Sequence, residues 1–272
     1  MRLAFLLLAL LAAATPADAA ERIDIGEGAA ALNAILYRPQ GAGPFPAVIG
    51  LHGCAGMYSR PGQFVRRFAD WGERLSRAGF AVLFLDSHTP RGLGNQCSVR
   101  DRRVRSSRER VADAYAARRW LQSQPWVVKN RVSVMGWSNG AITALWAVRP
   151  RAMPRDSMPD FRSAIAFYPG CRRLSNLAWS TRVPTLILAG RRDDWTPAAP
   201  CEQMVAGTRG RSAQVSIVVY PGAYHEFDRP DYPVRLLTGQ AYSADGAGRV
   251  HAGTNPAARA DAIRRVSEWL AR

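Results

Sequence analysis

Lysine is almost missing from this chain: Lys129 is the only one, against 36 arginines. Acidic residues are scarce too, 21 against 37 basic ones, so the formal net charge is +16. An imbalance of that size points to nucleic acid, an anionic membrane surface or an acidic ligand as partners to be weighed. Cysteine is limited to four residues, Cys54, Cys97, Cys171 and Cys201, and no two lie within a few positions of each other, which argues against a zinc knuckle or finger. Apolar runs long enough to span a bilayer are absent, and so are repeats and low-complexity tracts. What remains is 272 residues that are 47% apolar, enough to bury a large core and too ordered in composition for a disordered or fibrous chain.

The N-terminus carries an address. Arg2 is a short positive segment, residues 3–14 are an apolar run, and Ala17-Asp18-Ala19 matches a small-residue cleavage site. These three parts in that order predict a secretory signal peptide over 1–19, cleaved after Ala19, and a periplasmic or secreted mature chain over 20–272. An even number of cysteines in an exported chain predicts two disulfides.

Along the mature chain, short apolar runs alternate with amphipathic stretches. Buried strands are expected at 47–51, 80–85, 132–135, 164–168, 185–189 and 215–220, and an antiparallel edge pair at 22–25 and 33–37. Phe64, Phe68, Trp71, Leu75 and Ala78 share one helical face that Gly79 ends; further helices are expected over 111–121, 141–148 and from Asn255-Pro256 onward. Strands without strict alternation, separated by helices, imply a mostly parallel central sheet covered by helices on both faces. No linker interrupts the mature chain, which predicts one α/β catalytic domain; residues 228–254 are expected to be a surface excursion near the site.

Gly136-Trp137-Ser138-Asn139-Gly140 is a G-x-S-x-G segment placed between an expected strand and an expected helix. That context is the one a nucleophile elbow needs, with Ser138 thrust out at the carboxyl edge of the sheet. The alternative is a plain glycine-rich turn with Ser138 as a helix cap. A serine hydroxyl needs a base, and of four histidines His225 follows the last strand and reaches the same edge. His251 reads as solvated, His88 as a hydrogen-bonded loop residue and His52 as a shaper of its loop. The orienting carboxylate lies in Gly190-Arg191-Arg192-Asp193-Asp194-Trp195-Thr196-Pro197, and spacing leaves Asp193 and Asp194 equal. Cys54, in the turn after strand 47–51, and Asn139, after the nucleophile, are positioned to give the two oxyanion N–H groups, worth about 3 kcal/mol per donor.

The segments LHGCAG (51–56), LDSHTPRG (85–92), GWSNG (136–140), YPGC (168–171), AGRRDDWTPAAPC (189–201) and YPGAYHEFD (220–228) together resemble exported members of the dienelactone hydrolase family of α/β-hydrolases, over nearly the whole mature chain. The resemblance implies an α/β-hydrolase fold without a large lid domain, and selects Asp193, four residues before Pro197, as the acid. It also implies, through the fold's strand order, disulfides Cys54–Cys97 and Cys171–Cys201. One departure stands out: classical members use a cysteine nucleophile managed by an acidic residue in the loop after the first buried strand, whereas here Ser138 and His52-Gly53-Cys54 occupy those places. The family name therefore does not fix a dienelactone as the substrate.

The expected activity is hydrolysis of a carboxylic ester or lactone through Ser138, His225 and Asp193 and an acyl-enzyme, without metal or organic cofactor. An acyltransferase sharing that acyl-enzyme, or a non-catalytic binder on the same scaffold, are the competing functions. Tyr58, Arg91, Trp137, Trp195 and Phe227 are pocket candidates, with Arg91 a candidate for a substrate carboxylate. The densest basic cluster, 100–110, with six arginines against Asp101 and Glu109, reads as a solvated helix face with local ion pairs rather than a nucleic-acid site. The charge as a whole then reads as a compositional habit that can still enrich anionic substrates or hold the protein near an anionic envelope.

Overall fold

A computed structural model describes residues 20–26, 31–60, 62–152 and 156–272; the expected signal peptide lies outside them. Twelve strands are described: β1 (Glu21–Ile25), β2 (Leu32–Tyr37), β3 (Phe45–Leu51), β4 (Tyr58–Arg60), β5 (Gln63–Phe64), β6 (Ala81–Asp86), β7 (Val127–Trp137), β8 (Ala164–Phe167), β9 (Thr185–Gly190), β10 (Val215–Tyr220), β11 (Arg235–Leu237) and β12 (Val250–Ala252). The helices are α1 (Arg66–Arg77), α2 (Glu109–Ser123), α3 (Asn139–Ala147), α4 (Arg172–Asn176), α5 (Ala199–Ala206) and α6 (Pro256–Ala271).

Eight strands form one sheet in the order β1-β2-β6-β3-β7-β8-β9-β10. β1, β2 and β6 pair antiparallel, and every pairing from β6 through β10 is parallel. This is the α/β-hydrolase architecture expected from the sequence, with the antiparallel edge in its expected place. The strands carry apolar residues on both faces. Ile49, Leu83, Val134 and Ala166 pack with α2 and α3 on one side; Val48, Phe84, Trp137 and Phe167 pack with α1 and α6 on the other. Two buried faces leave no polar side for alternation to register, which is why these strands read as continuous apolar runs.

Local signals place the helices. Phe68, Trp71 and Leu75 give α1 its buried face, and Gly79 at φ +88° turns the chain out of it. Asn255 Oδ1 accepts from the Ala258 N–H at 3.0 Å while Pro256 occupies the first turn of α6. Strand β7 is longer than the apolar run announced, because its first half, from Val128 to Arg131, is partly exposed and polar. No helix among the described residues is long and apolar enough to cross a membrane.

The parallel register sets the site. Leu51, the last residue of β3, lies opposite Gly136, and Gly190 at the end of β9 lies opposite Tyr220 at the end of β10. The turns after β3, β7, β9 and β10 therefore leave the sheet along one edge.

Candidate active site

Between β7 and α3 the chain reverses at Ser138, whose φ of 52° and ψ of −115° are strained for a non-glycine residue. The turn is possible only with glycine on either side. A Cβ at Gly136 would stand 2.3 Å from the Gly140 carbonyl oxygen, and one at Gly140 would stand 2.0 Å from that of Leu51. Ser138 is left partly exposed at the start of α3.

His225 is buried and reaches Ser138 Oγ with Nε2 at 3.0 Å; its Nδ1 lies 2.8 Å from Asp193 Oδ2. An ionised carboxylate can only accept, so Nδ1 carries the proton and Nε2 is free to accept from the serine hydroxyl. Asp193 is in turn held by the backbone N–H groups of Trp195 and Thr196, at 2.9 and 2.8 Å, and by the Thr196 hydroxyl at 3.0 Å. Asp194, which spacing could not separate from Asp193, points elsewhere and pairs with His251 Nδ1 at 2.7 Å. His251 is thus hydrogen-bonded to Asp194 at the surface, not simply solvated.

The rings of Tyr168 and Trp195 flank His225, with centroids 4.5 and 4.7 Å away. Behind them, Asp228 is fully buried and accepts from Trp71 Nε1 (2.9 Å), Trp137 Nε1 (2.8 Å) and the Tyr168 hydroxyl (2.7 Å). Arg67 donates to the same Tyr168 hydroxyl and to Glu226, both at 3.0 Å. Sequence reasoning missed this network, since its members lie far apart in the chain.

On the other side of Ser138 is the turn after β3. His52 donates from Nδ1 to the Gly53 carbonyl at 2.7 Å and accepts at Nε2 from the Ser87 N–H at 3.1 Å, the loop-shaping role expected of it. Burial, then the nearby Arg110 charge, pushes the imidazoles of His52 and His88 well down, His88 to about 3, so both are neutral. The amides of Cys54 and Asn139 donate to no other described residue. Disulfides join Cys54 to Cys97 and Cys171 to Cys201.

A cavity of about 960 Å³ opens over Ser138, lined by Cys54, Asn139, Ile142, Trp146 and Trp195 among others. Of the pocket candidates, Trp195 is on its wall, and Tyr58, Arg91, Trp137 and Phe227 are not. Trp137 and Phe227 are corrected to core residues, both 0% exposed and packed among aromatic rings of the α1–α6 layer. Tyr58 packs edge-on against Phe64. Arg91 is committed to Asp113, which it grips with two bonds of 2.8 and 2.6 Å. The 100–110 cluster keeps its expected local ion pairs, Arg105 and Arg108 with Glu109, and is corrected in its placement. Tied down by Cys97, most of it precedes α2 rather than forming a helix face, and Arg100, Arg102, Arg103 and Arg105 line the cavity with Arg172 and Arg173. The excursion 228–254 contributes Ala241, Tyr242 and Ser243 to the same wall.

The sequence model of the dienelactone hydrolase family matches residues 32–272. A Bradyrhizobium protein named "Probable 2-oxo-3-(5-oxofuran-2-ylidene)propanoate lactonase" is 26% identical over 235 residues, covering 79% of this chain and 86% of its own. The structure of a "Putative Dienelactone Hydrolase" from Klebsiella pneumoniae superposes with a TM-score of 0.69 at 22% identity, covering 94% of this chain and all of the other. A dienelactone hydrolase from Anabaena variabilis gives a TM-score of 0.64 at 20% identity, with 93% and 96% covered.

Proposed function

Since the chain belongs to the dienelactone hydrolase family of α/β-hydrolases, we propose that it hydrolyses carboxylic esters or lactones through a serine acyl-enzyme. The observation that carries this reading is the relay from Ser138 Oγ to His225 to Asp193, at 3.0 and 2.8 Å, on a strained elbow. His225 Nε2 takes the hydroxyl proton as Ser138 attacks the carbonyl carbon, and Asp193 stabilises the imidazolium. The amides of Cys54 and Asn139 receive the oxyanion. His225 then protonates the leaving oxygen, and water, activated by the same imidazole, releases the acid. In a lactone, the leaving oxygen stays on the product.

The substrate class we favour is anionic. Arg100, Arg102, Arg103, Arg172 and Arg173 line the cavity, and none of the five forms an ion pair with a described carboxylate. This role passes to them from Arg91. The related Bradyrhizobium protein, named for a lactone whose propanoate part bears a carboxylate, agrees with that preference. We place the mature chain over 20–272, as one catalytic domain outside the cytoplasm. Two disulfides are compatible with export, and the leader-like pattern of residues 1–19 supports it.

The test is a panel of p-nitrophenyl esters and lactones varied in chain length and charge, run on wild type and Ser138→Ala. A loss of roughly 10³-fold or more in kcat across the panel is expected for the variant. Turnover that survives in Ser138→Ala overturns the reading.

A further inference from the structure

Arg110, the second residue of α2, has no exposed surface and no carboxylate hydrogen-bonded to it. The carboxylate one turn further along the helix, Asp113, is taken by Arg91. A buried guanidinium with no carboxylate in direct contact is costly, even with the charges of Asp113 and Asp86 nearby, and one of its donors, Nε, has no partner at all. Burial lowers its pKa to about 10, which leaves it charged at neutral pH. Its two remaining contacts are specific. Nη1 donates to the side-chain Oδ1 of Asn139 at 2.6 Å, and Nη2 donates to the main-chain oxygen of His52 at 2.7 Å. Those acceptors belong to the two segments that present the Asn139 and Cys54 amides, one after β7 and one after β3.

The planar fork is suited to this span because its two donors are held at fixed separation and direction. His52 completes the arrangement. Its Nδ1–H fixes the Gly53 carbonyl, and in a trans peptide the C=O and the following N–H point in opposite directions. The Cys54 N–H is thereby aimed away from His52. On one side, then, Arg110 holds the carbonyl just before this peptide, and on the other the side chain of the residue that carries the second amide.

We propose that Arg110 is a positioning residue for the oxyanion site: it clamps the turn after β3 to the nucleophile elbow and thereby sets the spacing and direction of the Cys54 and Asn139 donors. The inference rests on the reading of those amides given above. Donors held at a set position favour the tetrahedral state over the planar ester. Loosening them therefore lowers kcat and leaves ground-state binding almost intact.

The experiment measures kcat and KM for p-nitrophenyl acetate, and the affinity of a phenylboronic acid that adds to Ser138, in wild type, Arg110→Lys and Asn139→Ala. Lysine keeps the charge and loses the fork; Asn139→Ala keeps the backbone amide and removes one of the two acceptors. In Arg110→Lys, kcat falls about 10- to 100-fold with KM within about twofold, and boronate affinity falls in parallel. Asn139→Ala shows a smaller loss of the same kind. Unchanged kcat and boronate affinity in a folded Arg110→Lys overturn the proposal, as does a change confined to melting temperature. If Arg110→Lys does not fold, an Asn139→Ala indistinguishable from wild type overturns it. Turnover that persists in Ser138→Ala instead removes the underlying reading, so the two failures are separable.

Discussion

Glu226 adjoins the candidate base and has an unusual backbone, φ +60°. Its burial alone raises the carboxyl pKa, but Arg67 at 3.0 Å and Arg229 at 2.9 Å outweigh that and hold it down at about 2. A folded-state value below the unfolded one, near 4.5, means the carboxylate stabilises the fold fully above pH ~4.5 and progressively less as pH falls toward ~2. The stake is on the order of 3 kcal/mol. Denaturation midpoints of wild type and Glu226→Gln followed from neutral pH to acid should converge across that window; parallel curves would contradict the assignment. This network also marks the limit of what residues reveal in sequence. Ser138 and His225 were legible as candidates because each follows an apolar strand within a short, chemically distinctive segment, whereas Asp193 was separated from Asp194 only by the family resemblance. Tyr168 and Asp228 sit in two of the quoted segments, YPGC and YPGAYHEFD, but nothing local pairs them with each other or with Arg67, and they meet only because α1, β8 and the loop after β10 converge.

At the scale of elements, the long strands and helices were legible because burial on a repeating face leaves a period. The short ones were not. α4 has five residues, and the ribbon β11–β12 has three in each strand, too few for any period to emerge. α4 and the loop between β11 and β12 line the cavity. The Ala241 N–H donates to the Cys97 carbonyl at 2.9 Å, the Tyr242 hydroxyl to the Arg100 carbonyl at 2.6 Å, and the Ala244 N–H to the Asp194 carbonyl at 2.8 Å. The 97–109 segment and the 228–254 excursion thus lean on each other, and the Cys54–Cys97 disulfide anchors both to the turn that carries the Cys54 amide. Removing that link with a Cys54→Ala, Cys97→Ala double variant should reduce stability by about 4 kcal/mol for a closed loop of this length. It should also lower kcat/KM, because the backbone amide remains but its turn loses an anchor. Urea unfolding and steady-state kinetics on the same sample test both parts; a variant that is destabilised yet fully active would detach this anchor from catalysis.

Over the whole molecule, arginine is not spread evenly in its partnerships. Away from the cavity many arginines are matched by carboxylates: Arg118 binds Asp156, Arg182 binds Asp160, and Arg264 bridges Asp261 and Glu268. Around the cavity, five arginines stand without such partners while Asp101 is the one acidic residue on the wall. Part of the excess positive charge therefore stands where Ser138 opens to solvent. Clefts lined by one sign of charge focus the field and enrich oppositely charged ligands, and added salt screens that field. The ratio of kcat/KM for a carboxylate-bearing p-nitrophenyl ester to that for p-nitrophenyl acetate should fall several-fold between ~20 mM and ~500 mM salt. It should fall at low salt too in an Arg103→Ser, Arg172→Ser double variant, while the rate on the neutral ester holds. Arginine used only as a general solubilising surface predicts the opposite, a ratio that neither salt nor the double variant moves.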